Sequence, residues 1–404
     1  MRALETNAAL AKRSSSGQIP GVSLTSKTTD YVFIDRQDGL KALIRDLKKV
    51  DEVPIDTEAD NLHHYHTRVC LIQLRAGDND YLVDPLSNLD LQPIWDGLRD
   101  KTLIMHGSDF DLRLLWELAE FRPAFVFDTM LAAQLVGAQR IGLSSLLDDY
   151  LDVHHPKDSQ KSDWSRRPLP DKMLHYAVGD VAHLPLLKKM IEDQLRELGR
   201  LEWHRQKCDW QVEVAQTGFP RQDEYAWRIG PHNRLAPRAQ ATLFELWHWR
   251  ESEARRMDRP PFKVMSNDYL IRLSNAVADG TIQAVFDALP KGLRRGRSKG
   301  LKEALERGAE RDPKSLPRRP RNRNGRQPLN AAELQRQDGL KHCRDKAAEG
   351  LKIDPTLIAT RLQLARLARN PADASEVLLP WQVGILEPSL EVFLRESAAP
   401  EAAS

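Results

Sequence analysis

Apolar residues fall into two regimes along the 404-residue chain. From Tyr31 to about position 205 they come as short dense runs between turn residues. Tyr31-Val-Phe-Ile34 reads as a strand, and Leu40, Leu43, Ile44 and Leu47 as one helix face. Val53-Pro-Ile-Asp56, Val69-Cys-Leu-Ile-Gln-Leu74 and Tyr81-Leu-Val-Asp84 read as further strands, the second of them central. Leu103-Ile-Met105 predicts a buried strand leading into a helix near Asp109 to Leu118, and Asp128 precedes a helix carrying Met130, Leu131, Gln134 and Leu135. Strands first, then alternating strands and helices, indicate an α/β domain with a mixed sheet flanked by helices, expected over residues 29–205. Residues 1–28 lack periodicity and read as a disordered lead.

Past this region, after a connector at 206–232, only helical spacing remains. Leu243, Leu246, Trp247 and Arg250 share a face, as do Leu270, Leu273 and Val277. The pattern recurs at an offset of 94: His248, Arg250, Pro261, Leu270 and Leu273 match His342, Arg344, Pro355, Leu364 and Leu367. Leu289-Pro290 matches Leu379-Pro380 at an offset of 90. Two small all-α domains are expected, at 233–310 and 329–397, with 311–328 as a basic linker.

Composition changes this picture in two places. The net charge of +2 hides an asymmetry: Lys291 to Arg326 holds fourteen Lys/Arg against four Asp/Glu, a net of +10 that leaves the rest of the chain at −8. Such a block marks a solvated linker or contact with a polyanion. No run of about 18 apolar residues exists, so no membrane span is expected, and Arg2, Lys12 and Arg13 precede no apolar signal core. Cys70, Cys208 and Cys343 lie too far apart for a metal or disulfide framework, which suits a reducing cytoplasm.

Candidate chemistry centres on acids. Asp56 and Glu58 stand at i and i+2 of a strand and so share a face; such a pair suggests a hard divalent cation. Asp111, in His106-Gly-Ser-Asp-Phe-Asp111, follows a strand at the start of a helix, where an acid is ordinary. Tyr176 and Asp180, at i and i+4, share a helix face. Four carboxylates meeting at one sheet edge can hold two divalent ions for phosphoryl displacement. His63, His64 and His66 suit no standard zinc spacing and read as a loop at the cleft. Lys161, Trp164 and Arg167 are candidate substrate contacts, by phosphate charge and base stacking. Asp128 reads as a helix cap.

Asp56-Thr-Glu58, His106-Gly-x-x-x-Asp111 and Tyr176-x-x-x-Asp180 resemble the three motifs of the ribonuclease D family of DEDD 3′–5′ exonucleases. Ile72-Gln73-Leu74, Val83-Asp84-Pro85-Leu86, Asp128-Thr129 and Ser162-Asp163-Trp164-x-x-Arg167-Pro168-Leu169 extend the resemblance over about residues 30–200. It implies an RNase H-like fold, two Mg²⁺ or Mn²⁺ ions on Asp56, Glu58, Asp111 and Asp180, and a Tyr176 that positions the attacking water. His175 also fits the histidine variant of the superfamily, but the surrounding match is to the tyrosine type. Leu243, Leu246, Trp249, Arg250, Ala254, Pro260-Pro261 and Leu270 resemble the helicase-and-RNase-D C-terminal (HRDC) domain, which in the family helps hold structured RNA. Arg294, Arg295 and Arg297 are further candidate RNA contacts. The expected activity is a 3′–5′ exoribonuclease acting on RNA with a single-stranded 3′ end, tRNA precursors foremost, releasing nucleoside 5′-monophosphates without an obligate protein partner. The alternatives are a DNA 3′–5′ exonuclease and a non-catalytic RNA-binding protein.

Overall fold

Six strands form one sheet: β1 (Tyr31–Ile34), β2 (Glu52–Ala59), β3 (Val69–Ala76), β4 (Asn79–Val83), β5 (Thr102–Met105) and β6 (Phe125–Asp128), in the order β1-β4-β3-β2-β5-β6. The computed structural model describes residues 30–156, 158–220, 222–281, 283, 298–318 and 328–398. The N-terminal lead and the arginines at 294, 295 and 297 lie outside these residues.

The run Val69–Leu74 is buried throughout, and apolar but for Gln73, because β3 is central and covered on both faces. It pairs antiparallel with β2 and β4, and a two-residue turn to β4 uses Gly77 at φ 62°. The Phe125–Asp128 strand adds to the expected set; at four residues with Phe125 exposed, it lacks the alternation that marks a strand in sequence. β5 and β6 run parallel to β2. The carboxyl ends of these three strands therefore open at one sheet edge, where α/β folds place ligands.

Strand alternation divides the core. Ile55, Ile72, Leu74, Tyr81 and Val83 belong to a cluster with Leu43 and Leu47 of α1 (Leu40–Leu47) and Ile94 and Leu98 of α2 (Gln92–Leu98). Leu71 and Leu82 pack instead with Met173, Leu174, Ala177 and Val178. Each such leucine, fully buried, stabilises the fold by about 1.5–3 kcal/mol before entropy is counted. Asp56 pairs with Gln73 and Glu58 with Leu71, so both acids point to the second face, the one covered by the helix Asp171–Ala182.

The helix Leu201–Ala215 passes through position 205, where the first unit was expected to end. Its Val212 and Ala215 lie in the sheet core, so that unit's packing continues to Ala215. The expected connector and linker are likewise partly packed. Trp227 is 1 % exposed within the first helical unit. Leu316 is buried there too, while Arg311 donates to Glu245 (2.7 Å) and Arg228 to the Pro317 carbonyl (2.7 Å).

The offset of 94 has a structural meaning. Pro261 and Pro355 each open a four-residue helix, Pro261–Val264 and Pro355–Ile358. Ser266 and Thr360 cap the helices that follow, Asn267–Ala278 and Arg361–Arg369. Arg250 donates to the Met265 carbonyl (3.3 Å) and Arg344 to the Ala359 carbonyl (2.9 Å), and each pairs with the acid next to it in sequence. Satisfying that carbonyl explains why a buried arginine recurs. The second copy shares a core with the first unit: Trp381 stacks on Trp203 at 4.7 Å, and Arg200 bridges the carbonyls of Leu135 (2.6 Å) and Leu351 (2.8 Å).

Candidate active site

Asp56, Glu58, Asp111, Tyr176 and Asp180 line one cleft of about 610 Å³ at the open sheet edge. Asp56 and Glu58 come from β2. Asp111 sits in the first turn of α3 (Asp109–Ala119), and Tyr176 and Asp180 share a face of the helix Asp171–Ala182. One oxygen each of Asp56, Glu58 and Asp180 lie within 4.8 Å of one another. Asp111 Oδ1 accepts from the Thr57 backbone N–H (3.2 Å) and the Thr57 hydroxyl (2.5 Å), which ties α3 to the strand between the two acids. Asp109 points outward and pairs with Arg113 at 3.1 Å.

A second acid places Asp111. Asp128 is fully buried at the end of β6 and accepts from the backbone N–H groups of Gly107 (3.0 Å), Ser108 (2.7 Å) and Met130 (2.8 Å) and from the Ser108 hydroxyl (2.9 Å). It caps the helix Thr129–Val136 and clamps the loop from which α3 departs. Asp128→Ala orphans several buried donors at about 1–3 kcal/mol each. Urea unfolding is expected to show a loss of at least about 3 kcal/mol, with activity falling in parallel.

The acids resist ionising together. Burial, then the charges of Asp111, Asp180 and Glu58, holds Asp56 well above the usual carboxylate range, and Glu58 is raised in the same way. Burial lifts Asp111 to about 6 against the hydrogen bonds from Thr57. Burial also raises Asp180, opposed by His155. The residues fit a divalent cation: the donors are all hard oxygens, and Asp180 Oδ2 is buried without a hydrogen-bond partner. Protons held more tightly in the folded state stabilise it below the ordinary pKa of 3.8 and are lost as pH rises through about 6. Without metal, this contribution falls across that window, while a cation favours the ionised form. The gain in thermal midpoint on adding Mg²⁺ is therefore expected to grow from pH 4 to pH 7, read by calorimetry with and without chelator; a flat or shrinking gain contradicts it.

Tyr176 faces the acids, and its phenol is pushed up by burial and by the charges of Asp180, Glu58 and Asp56. It therefore stays protonated at neutral pH and presents a neutral O–H to the cleft. His175 points away: its Nδ1 lies 2.7 Å from the Asp171 carbonyl, and its ring meets Tyr31 edge-on.

Of the other expected contacts, Lys161 lines the cleft, but Trp164 and Arg167 do not. Trp164 is 1 % exposed and packs in the core beneath Tyr176, 6.2 Å between rings, so it offers no stacking surface. Arg167 directs its guanidinium inward, to Asp84 (2.6 Å twice) and to the carbonyls of Cys70 (2.7 Å), Trp164 (2.8 Å) and Arg166 (2.7 Å). Its five N–H groups are thereby taken up in holding the loop.

The His63–His66 loop joins the sheet domain to the first helical unit. His64 bridges Asp258 (2.7 Å) and Ser165 (2.8 Å), while Arg255 lies over the Tyr65 ring at 5.3 Å. Two cleft residues escaped the sequence reading. Phe110 is 39 % exposed at the rim; an aromatic between two acids at a helix start was a usable sign. His155, buried against Tyr176 and Asp180, gave none.

A family model described as a 3′–5′ exonuclease matches residues 31–196, and an HRDC-domain model matches residues 239–279. Ribonuclease D of Nitrobacter hamburgensis is 28 % identical over 336 residues, covering 82 % of this chain and 86 % of that protein. Ribonuclease D of Gluconacetobacter diazotrophicus is 29 % identical over 364 residues, covering 87 % and 90 %. Among solved structures, Escherichia coli RNase D superposes with a TM-score of 0.66 at 24 % identity, over 91 % of this chain and 99 % of that one. Fold and matches together define a 3′–5′ exonuclease: an RNase H-like α/β domain with an acidic cluster that fits a divalent metal, followed by a helical HRDC domain. Within that class the chain resembles ribonuclease D over most of its length, and its activity is that of a 3′–5′ exoribonuclease.

Proposed function

We propose that the chain trims the single-stranded 3′ ends of structured RNA, tRNA precursors foremost, releasing nucleoside 5′-monophosphates. The observation that carries this reading is the meeting of four carboxylates from three elements with a tyrosine and Lys161 in one cleft. The solved Escherichia coli relative is described as an exoribonuclease involved in structured RNA processing, which supports the choice of substrate.

Asp56, Glu58, Asp111 and Asp180 would hold two divalent cations, Mg²⁺ or Mn²⁺, which when bound make water a nucleophile near neutral pH and offset the charge on the leaving 3′ oxygen. Asp56, flanked by the other three acids, is the residue best placed to serve both. Tyr176 orients the attacking water through its phenolic O–H. Lys161 supplies a cation for the terminal phosphates, and Phe110 an apolar face on which a base can stack. Arg294, Arg295 and Arg297, within the basic stretch, add counterion-releasing contacts to the RNA body.

No helix among the described residues is long and apolar enough to cross a membrane, and the three cysteines are free; both suit action on RNA in the cytoplasm. The substrate is tested by comparing initial rates on a 3′-extended tRNA precursor, an unstructured RNA and DNA of matched sequence. Faster turnover of the precursor supports the reading, whereas preference for DNA replaces it with the deoxyribonuclease alternative.

A further inference from the structure

Asp180 has one oxygen taken and one open. His155 Nε2 lies 2.9 Å from Asp180 Oδ1, and Asp180 Oδ2, equally buried, has no partner. The same imidazole stacks on Tyr176, 5.1 Å between centroids and 25° between planes. It is 6 % exposed. One feature of the helix Asp171–Ala182 admits it there: residue 179 is glycine, and a Cβ at that position would stand 2.7 Å from Cε1 and 2.8 Å from Nδ1 of the ring. His155 therefore reaches Asp180 by lying in the notch that Gly179 leaves between Tyr176 and Asp180.

We propose that His155 is a positioning residue for the metal site. Its Nε2–H donates to Oδ1 and fixes the Asp180 carboxylate in the rotamer that turns Oδ2 to the cation, while its ring sets the plane of Tyr176. His155 and Gly179 form one device, in which neither works without the other. The proposal rests on the metal-site reading above. A group that orients a metal ligand typically contributes about 10–100-fold in metal affinity.

The test is Mn²⁺ titration of the full-length protein followed by electron paramagnetic resonance, with circular dichroism to monitor the fold. His155→Ala is expected to weaken Mn²⁺ binding about 10–100-fold. His155→Gln, whose amide can donate from a similar position, recovers most of the loss. Gly179→Ala displaces the ring and weakens binding comparably. In the His155→Ala background it adds nothing, because the two act as one unit. Wild-type affinity in folded His155→Ala, or additive losses in the double variant, overturns the proposal. Should His155→Ala fail to fold, His155→Gln and Gly179→Ala decide on the same readout. A wild-type protein without a saturable Mn²⁺ site contradicts the metal-site reading itself, and this proposal with it.

Discussion

Asp56→Asn is expected to lower kcat on a 3′-tailed RNA by at least about 10³-fold, and to raise the thermal midpoint of the metal-free protein. The first effect follows from position. Asp56 is half-buried within the acid cluster, and the charges of Asp111, Asp180 and Glu58 all bear on it. Removing its charge takes out the acid on which the charges of the other three all bear. Loss of a single group that stabilises developing charge already costs about 10²–10³-fold, and under the proposed function Asp56 would serve both ends of the displacement. The second effect has the opposite sign because the same crowding burdens the empty fold. Asparagine keeps the shape and relieves the repulsion, which we place at about 1 kcal/mol, or about 2–4 °C for a domain of this size. Steady-state kinetics and calorimetry in chelator check the pair. A variant both inactive and less stable would mark Asp56 as a structural acid instead.

Tyr176→Phe is expected to slow hydrolysis about 10²–10⁴-fold, the range for a positioned proton-handling group, with Mn²⁺ affinity little changed. The ring packs between His155 and Trp164, contacts that phenylalanine keeps; only the O–H is lost. Since the phenol stays protonated next to three acids, the role proposed for it is that of a neutral donor and acceptor for the water. His175→Ala is the control. That ring lies against Tyr31 and the Asp171 carbonyl, and its removal should leave the rate within a few fold. The reverse outcome, a fast Tyr176→Phe and a dead His175→Ala, would assign the chemistry to the histidine.

The sequence made some of this site legible and hid the rest for physical reasons. Asp56 and Glu58 could be read together because strand alternation is local: two residues apart means one face wherever the strand lies. Asp111 and Asp180 were readable as acids at the start and on one face of helices, but their meeting with β2 is tertiary, and the motif resemblance supplied it. Trp164 and Arg167 were misread as substrate contacts because a loop tryptophan or arginine looks the same in sequence whether it faces a cleft or the interior. Here Asp84, eighty-three positions away, turns Arg167 inward. His155 was invisible because its place depends on a missing Cβ at Gly179 in another element. The helical repeat came through weakly, since few side chains are shared. Yet one of them, the arginine at 250 and 344, makes the same carbonyl contact in both copies.

These acids are expected to hold divalent metal and so to remove nucleotides from an RNA 3′ end. The direct measurement is a time course on 5′-labelled RNA with a single-stranded 3′ tail, using wild type with Mg²⁺, wild type with chelator, and Asp180→Asn with Mg²⁺. The expected result is a ladder shortening from the 3′ end with release of nucleoside 5′-monophosphates in the first reaction only. Intact RNA in all three, or an equal ladder in chelator, would contradict it.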